Sequence, residues 1–211
     1  SSSTRQTVDV TIPEGYTIDQ IFALLEEQGV STVEKLQEMA ADWPYKWEWL
    51  PDIPLGDYHR LEGYLFPDTY TFYLGENPKY VLNKMLNNFG NKYDADIKSG
   101  AENLGRSMHD IVTIASLVER EAQRDDERAR IAGVIYNRLN NSSEFPYLQV
   151  DASVLYGLGR TGGTLSNEDL ASDTPYNLYT KQGLPPGPIC NPGYASLYAA
   201  SHPEQHNYYY Y

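Results

Sequence analysis

The sequence predicts an α+β protein, with a helix-rich main domain behind a small strand–helix–helix unit. Three observations predict it. Residues 6–12, QTVDVTI, alternate β-branched and polar residues, as a half-buried strand does. Capped, amphipathic helical patterns recur from residue 17 to residue 139. Between residues 140 and 192 proline and glycine break the chain into loops around one short apolar piece, 152–158.

Element by element, Pro13-Glu14-Gly15 turns the chain out of the first strand. Thr17 and Gln20 form a capping box for a helix with an apolar stripe of Ile18, Ile21, Phe22, Leu24 and Leu25, stopped by Gly29. Ser31-Thr32-Val33-Glu34 repeats the start signal for a helix to about Ala41. Residues 43–76 are aromatic and interrupted by Pro44, Pro51, Pro54, Gly56, Gly63, Pro67 and Gly75, so long helices are not expected there. Asn77-Pro78 starts a helix expected to reach about Asp96, and 99–107 reads as a loop. A helix follows from about Met108 to Ala122. The next carries Ile131, Val134, Ile135 and Leu139 on its buried face, and a short one closes at Gly193–Ser201. The loop GLPPGPICNPG (183–193) has four prolines, which fix φ and stiffen it. The final HNYYYY reads as a strand cut short, and both ends read as those of a fragment. The strand and the two helices after it make residues 5–42 the small strand–helix–helix unit.

Composition excludes several function classes. With 16 basic and 29 acidic residues the net charge is −13, unsuited to neutralising nucleic-acid phosphates or docking on an anionic membrane. A single cysteine, Cys190, excludes an intrachain disulfide and a thiolate cluster. The four histidines show no metal-binding spacing, so no metal or other cofactor is expected. Nineteen tyrosines suit sugar and peptide ligands, and equally a half-buried surface.

Chemistry concentrates in ASLVEREAQ (115–123), where Glu119 and Glu121 flank Arg120. At 100° per residue the apolar direction of this helix lies near Ile111. Both glutamates sit roughly 80° from it on opposite flanks, and Arg120 points away. A carboxylate at such a rim is partly desolvated, which raises its pKa toward values useful to a general acid. The same pattern is also an ordinary solvated helix end, and periodicity does not choose between the two acids. Amides, hydroxyls and aromatics cluster on the stiff loops at Gln149, Asp151, Ser153, Tyr176, Asn177, Tyr179 and Asn191.

Taken in order, ASLVEREA (115–122), ERARIAGVIYNRL (127–139), LQVDASVLYGLG (148–159), TPYNLYTKQGLPPGPICNPG (174–193) and ASLYAASHPE (195–204) resemble the MltG (YceG-like) endolytic murein transglycosylases. LEGYLFPDTYTF (61–72) fits the stretch ahead of their catalytic helix. Five motifs in one order make this resemblance specific. It implies a catalytic domain over 60–211, truncated at its C-terminus, and a small subdomain at 1–59 that follows an absent membrane anchor and LysM-like region.

The resemblance further implies internal cleavage of peptidoglycan strands at the β-1,4 bond between N-acetylmuramic acid and N-acetylglucosamine, leaving a 1,6-anhydro end. It selects Glu121, with Glu119 as the fallback, as the catalytic residue, and places the seven loop residues along the glycan groove. It implies action at the outer face of the bacterial cytoplasmic membrane, with cell-wall synthesis proteins as candidate partners. Ala152 and Ser153 stand where the family usually has proline and threonine, Leu178 where threonine is common, and Cys190 where alanine is common. These departures bear on substrate fit. Two alternatives remain open: a peptidoglycan-binding module without activity, and a hydrolase using Glu121 with Asp151.

Overall fold

A computed structural model describes residues 4–45 and 54–211. The protein is α+β, with many helices and a two-stranded sheet. Strand β1 (Thr7–Thr11) pairs antiparallel with β2 (Thr69–Tyr73), in a register that sets Val8 opposite Phe72 and Val10 opposite Tyr70. Val10, Tyr70 and Phe72 point inward, while Thr7, Asp9, Thr11, Thr69, Thr71 and Tyr73 form the exposed face. The strand of the N-terminal unit therefore finds its partner beyond residue 60. One hydrophobic core runs unbroken from Val10 to Ala200. Pro51 lies outside the described residues.

Between the strands come α1 (Ile18–Glu27) and α2 (Val33–Asp42). The capping box at Thr17 forms as expected, with both of its hydrogen bonds present. After β2, α3 spans Pro78–Lys92 and ends four residues before the expected point. Asp94 then accepts a hydrogen bond from the Ile97 amide and starts α4 (Ala95–Leu104), so the expected loop at 99–107 is mostly helix. Gly100 lies within this helix. It is no helix stop, since a Cβ there would collide with the Ser201 carbonyl; it lets two helices approach closely.

Helix α5 (Met108–Glu121) is the centre of the molecule, packed against α6 (Arg128–Asn140) and α9 (Tyr194–Ser201). Eight consecutive residues, Ile111 to Val118, are buried, Thr113 and Ser116 among them. The single apolar face assumed from periodicity is therefore a buried cylinder. Two short helices, α7 (Asp151–Gly157) and α8 (Asn167–Leu170), interrupt the loop region.

The stiff loop 183–193 is stitched along α5. His109 Nε2 lies 2.9 Å from the Pro186 carbonyl, the Ile189 amide donates to Ser116 Oγ at 3.0 Å, and the Gly193 amide donates to Glu119 at 2.8 Å. The expected terminal strand is absent among the described residues. The tail instead gives its carbonyls to side chains of α6: Asn137 donates to His206 and Tyr208 at 2.9 Å each, and Arg138 to Tyr209 at 2.7 Å.

Candidate active site

The last turn of α5 separates the two glutamates that periodicity leaves equivalent. Glu119 turns inward, its side chain only 7% exposed. One oxygen accepts the Gly193 amide at the start of α9, and the other lies 3.5 Å from Arg128. Arg128 is itself held by Asp125 at 2.7 Å and by Ser196 at 3.1 Å. Glu119 thus caps one helix and ties it to another. A carboxylate at a helix N-terminus is favoured by the amides it meets and by the helix dipole.

Glu121 turns the other way, into a cavity of about 310 Å³. Its walls come from Leu148–Asp151, Tyr179, the α6 residues Val134, Ile135 and Arg138, and Tyr209–Tyr211. Burial pushes the Glu121 carboxyl above its ordinary pKa, and the Asp151 charge pushes the same way. A hydrogen bond from the Tyr211 hydroxyl and the charge of Arg120 oppose them without reversing the shift. Arg120 leaves the cavity and donates to the Thr161 carbonyl at 2.6 Å.

Gln149 and Asp151 stand at the N-terminal end of α7. Gln149 has φ of +58°, the one non-glycine residue among those described in the left-handed region. Such a conformation costs on the order of 1 kcal/mol and persists where the surroundings enforce it. Here the Gln149 amide is fixed to the Leu178 carbonyl at 3.1 Å, which aims the residue at the cavity. Asp151 accepts a short hydrogen bond from the Tyr179 hydroxyl, whose pKa is pushed up to about 12 by burial and by this partner.

The structure thus brings Glu121, Gln149, Asp151 and Tyr179 together. Ser153, Asn177 and Asn191 are buried and do not line this cavity. Ser153 Oγ donates to the Tyr176 carbonyl at 2.7 Å. Asn177 donates to the Leu170 and Ser172 carbonyls and accepts from the Tyr179 amide, which orients Tyr179. Asn191 accepts from the amides of Gly63 and Leu65 and donates to the Tyr16 carbonyl, joining three distant segments. Their polar atoms are taken up by these internal bonds. Tyr176 lines a different cavity, beside Tyr156.

Residues not singled out by spacing also enter the site. Arg138 is only 7% exposed, yet it lines the cavity and holds the carbonyls of Tyr147 and Tyr209. An arginine in the last turn of a helix reads as a C-terminal cation, and nothing in its spacing marks it. Among the described residues no group of His, Cys, Asp or Glu side chains could hold a metal ion, and no helix is long and apolar enough to cross a membrane.

Comparison with known proteins adds to this geometry. The YceG-like family matches residues 1–211 in full. The chain belongs to that family. An endolytic murein transglycosylase of Bacillus subtilis is 35% identical over 221 aligned residues, covering all of this chain and 60% of the relative. One from Streptococcus pneumoniae is 38% identical over 206, covering 87% of this chain and 36% of the relative. The chain therefore spans well under two thirds of the length of these relatives. A crystal structure of a putative YceG-like protein from Listeria monocytogenes superposes with a TM-score of 0.82 at 32% identity, over 96% of this chain and 69% of that one.

Proposed function

We propose that this chain is the catalytic domain of an endolytic peptidoglycan lytic transglycosylase, with Glu121 as its single acid and base. The observation that carries this reading is the separation of the paired acids. Glu119 is bound to Gly193 and Arg128, while Glu121 faces the cavity with its proton affinity raised.

Protonated Glu121 donates its proton to the glycosidic oxygen between muramic acid and glucosamine as the C1–O bond breaks. The carboxylate left behind takes the proton of the muramic C6 hydroxyl, whose oxygen attacks C1 of the same sugar. The products are a 1,6-anhydro end and a free glucosamine hydroxyl, and Glu121 is protonated again. No water is activated, so the second carboxylate of an ordinary glycosidase is dispensable. The first step needs a neutral acid, which the burial of Glu121 favours. Substrate oxygen takes the place of the Tyr211 hydroxyl on Glu121. Gln149, Asp151 and Tyr179 are then within the same cavity to meet sugar hydroxyl and amide groups.

Relatives named endolytic murein transglycosylases support peptidoglycan as the substrate, and such a substrate fits action outside the cytoplasmic membrane. One observation favours a second reading, hydrolysis: Asp151 lies near enough to raise the pKa of Glu121 and could activate a water. End-group analysis of purified glycan after digestion distinguishes the two. Anhydro ends support transglycosylation, reducing muramic ends support hydrolysis, and uncleaved glycan contradicts both.

A further inference from the structure

A second cavity, of about 480 Å³, lies where α1 meets the C-terminal end of α7, away from Glu121. That volume falls in the range of small-ligand sites. Among the described residues it is walled by Tyr156 and Tyr176, whose rings meet edge to face at 4.9 Å, and rimmed by Asp19, Asp57, His59 and Arg160. The charge on Arg160 is taken up by Asp169 at 3.0 Å. Asp19 and Asp57 face a single imidazole, His59, at 3.7 and 2.8 Å. Two carboxylates against one ring leave the rim negative in either state of that ring. Both carboxylates are open to solvent, with side chains 58% and 72% exposed. Burial pushes the phenol of Tyr156 upward, and the nearby Glu62, Tyr176, Asp19 and Asp57 act in the same direction.

The position of this cavity relates it to the cleft. Thr161 lines it, and the Thr161 carbonyl accepts the 2.6 Å hydrogen bond from Arg120, the residue next to Glu121. Arg120 thereby ties the last turn of α5, which carries Glu121, to the rim of this cavity. An aromatic wall with an acidic rim suits an aliphatic chain ending in a cation.

We propose that this cavity is a subsite for an amine-bearing peptide branch of the glycan, with its ammonium group at the acidic rim beside Asp19 and Asp57 and its chain against Tyr156 and Tyr176. This rests on the peptidoglycan reading above, since short peptides with free side-chain amines hang from the muramic residues of that polymer.

The test pairs a binding measurement with a kinetic one. A soluble alanyl-glutamyl-lysyl-alanine peptide and its Nε-acetylated form are titrated calorimetrically into the wild-type chain and into the Asp19→Asn/Asp57→Asn variant. The asparagines keep the acceptors for Tyr58 and for the His59 amide, so the fold is retained while the charge goes. The free amine is expected to bind, and either acetylation or the double variant to weaken it about fivefold, as for partly exposed charge pairs. Equal affinity for both peptides, or an unchanged affinity in the variant, overturns the proposal. Cleavage is then compared on glycan with and without its peptides. The variant is expected to raise KM on the peptide-bearing strand alone, with kcat retained. A KM change of equal size on bare strands overturns the subsite. If the amine-dependent binding holds and wild-type protein cleaves neither strand, the failure belongs to the catalytic reading.

Discussion

Removal of Glu119 is expected to cost stability, with chemistry spared. Its carboxylate accepts the Gly193 amide at 2.8 Å and lies 3.5 Å from Arg128, with 7% of its side chain exposed. Glu119→Ala leaves a part-buried helix N-terminus without its acceptor and Arg128 with one carboxylate fewer. Breaking a buried pair outright costs about 3–5 kcal/mol. Arg128 keeps Asp125 and Ser196, so the lower end applies, about 3 kcal/mol. For a chain of this size each kcal/mol moves the midpoint by about 2–4 °C, so the alanine variant should melt about 6–12 °C lower. Glu119→Gln keeps an acceptor for Gly193 and loses only the charge, so its loss is expected near 1 kcal/mol. Thermal unfolding followed by circular dichroism reads both, and glycan cleavage well below the melting range reads activity. Wild-type melting in Glu119→Ala, or abolished cleavage in a folded Glu119→Gln, would refute the division of roles.

Further outcomes concern the acid itself and the packing around it. Cleavage should fall as pH rises through the raised pKa of Glu121, because only its neutral form donates a proton. In the kcat/KM profile, which reports the free enzyme, Asp151→Asn removes a charge that raises that pKa and should move the alkaline limb to lower pH; Tyr211→Phe removes a stabilising donor and should move it to higher pH. Glu62 is fully buried with its pKa held well above the ordinary range by burial, so the fold binds its proton more tightly than the unfolded chain does. Its contribution to stability is complete below the ordinary carboxylate pKa and is lost as pH rises through the raised one. Urea unfolding from pH 5 to 8 should therefore shift in favour of Glu62→Gln relative to wild type. Gly100→Ala drives a Cβ into the Ser201 carbonyl and should destabilise by about 1–3 kcal/mol in the same assay, outweighing the helix propensity of alanine.

Sequence spacing revealed the elements whose signals are local. The Thr17 capping box, the Asn77-Pro78 start and the α5 helix each depend on residues within a few positions, and each forms. Non-local causes were hidden. Residues 99–107 read as a loop, and the close approach of α9 at Gly100 that accompanies the helix there has no local signal. The tyrosine tail reads as a strand, yet its carbonyls are taken by Asn137 and Arg138 on α6. The site divides the same way. The helical wheel set both glutamates at a rim because it assumes one buried face; burial all round α5 leaves the choice to what packs at its end, Gly193 and Arg128 on one flank and the Gln149–Asp151 turn on the other. Resemblance to a family can nominate Asn177 and Asn191, and only the fold reveals that their amides are spent on backbone carbonyls and amides.

The central claim is that one partly buried acid, Glu121, cleaves the glycan without a water. It is tested most directly by digesting purified peptidoglycan strands with wild-type protein and with Glu121→Gln, and weighing the end groups by mass spectrometry. The account predicts muramic ends one water lighter than a reducing end from the wild type, and intact strands from a folded Glu121→Gln. Reducing ends from the wild type, or undiminished cleavage by the variant, would contradict it.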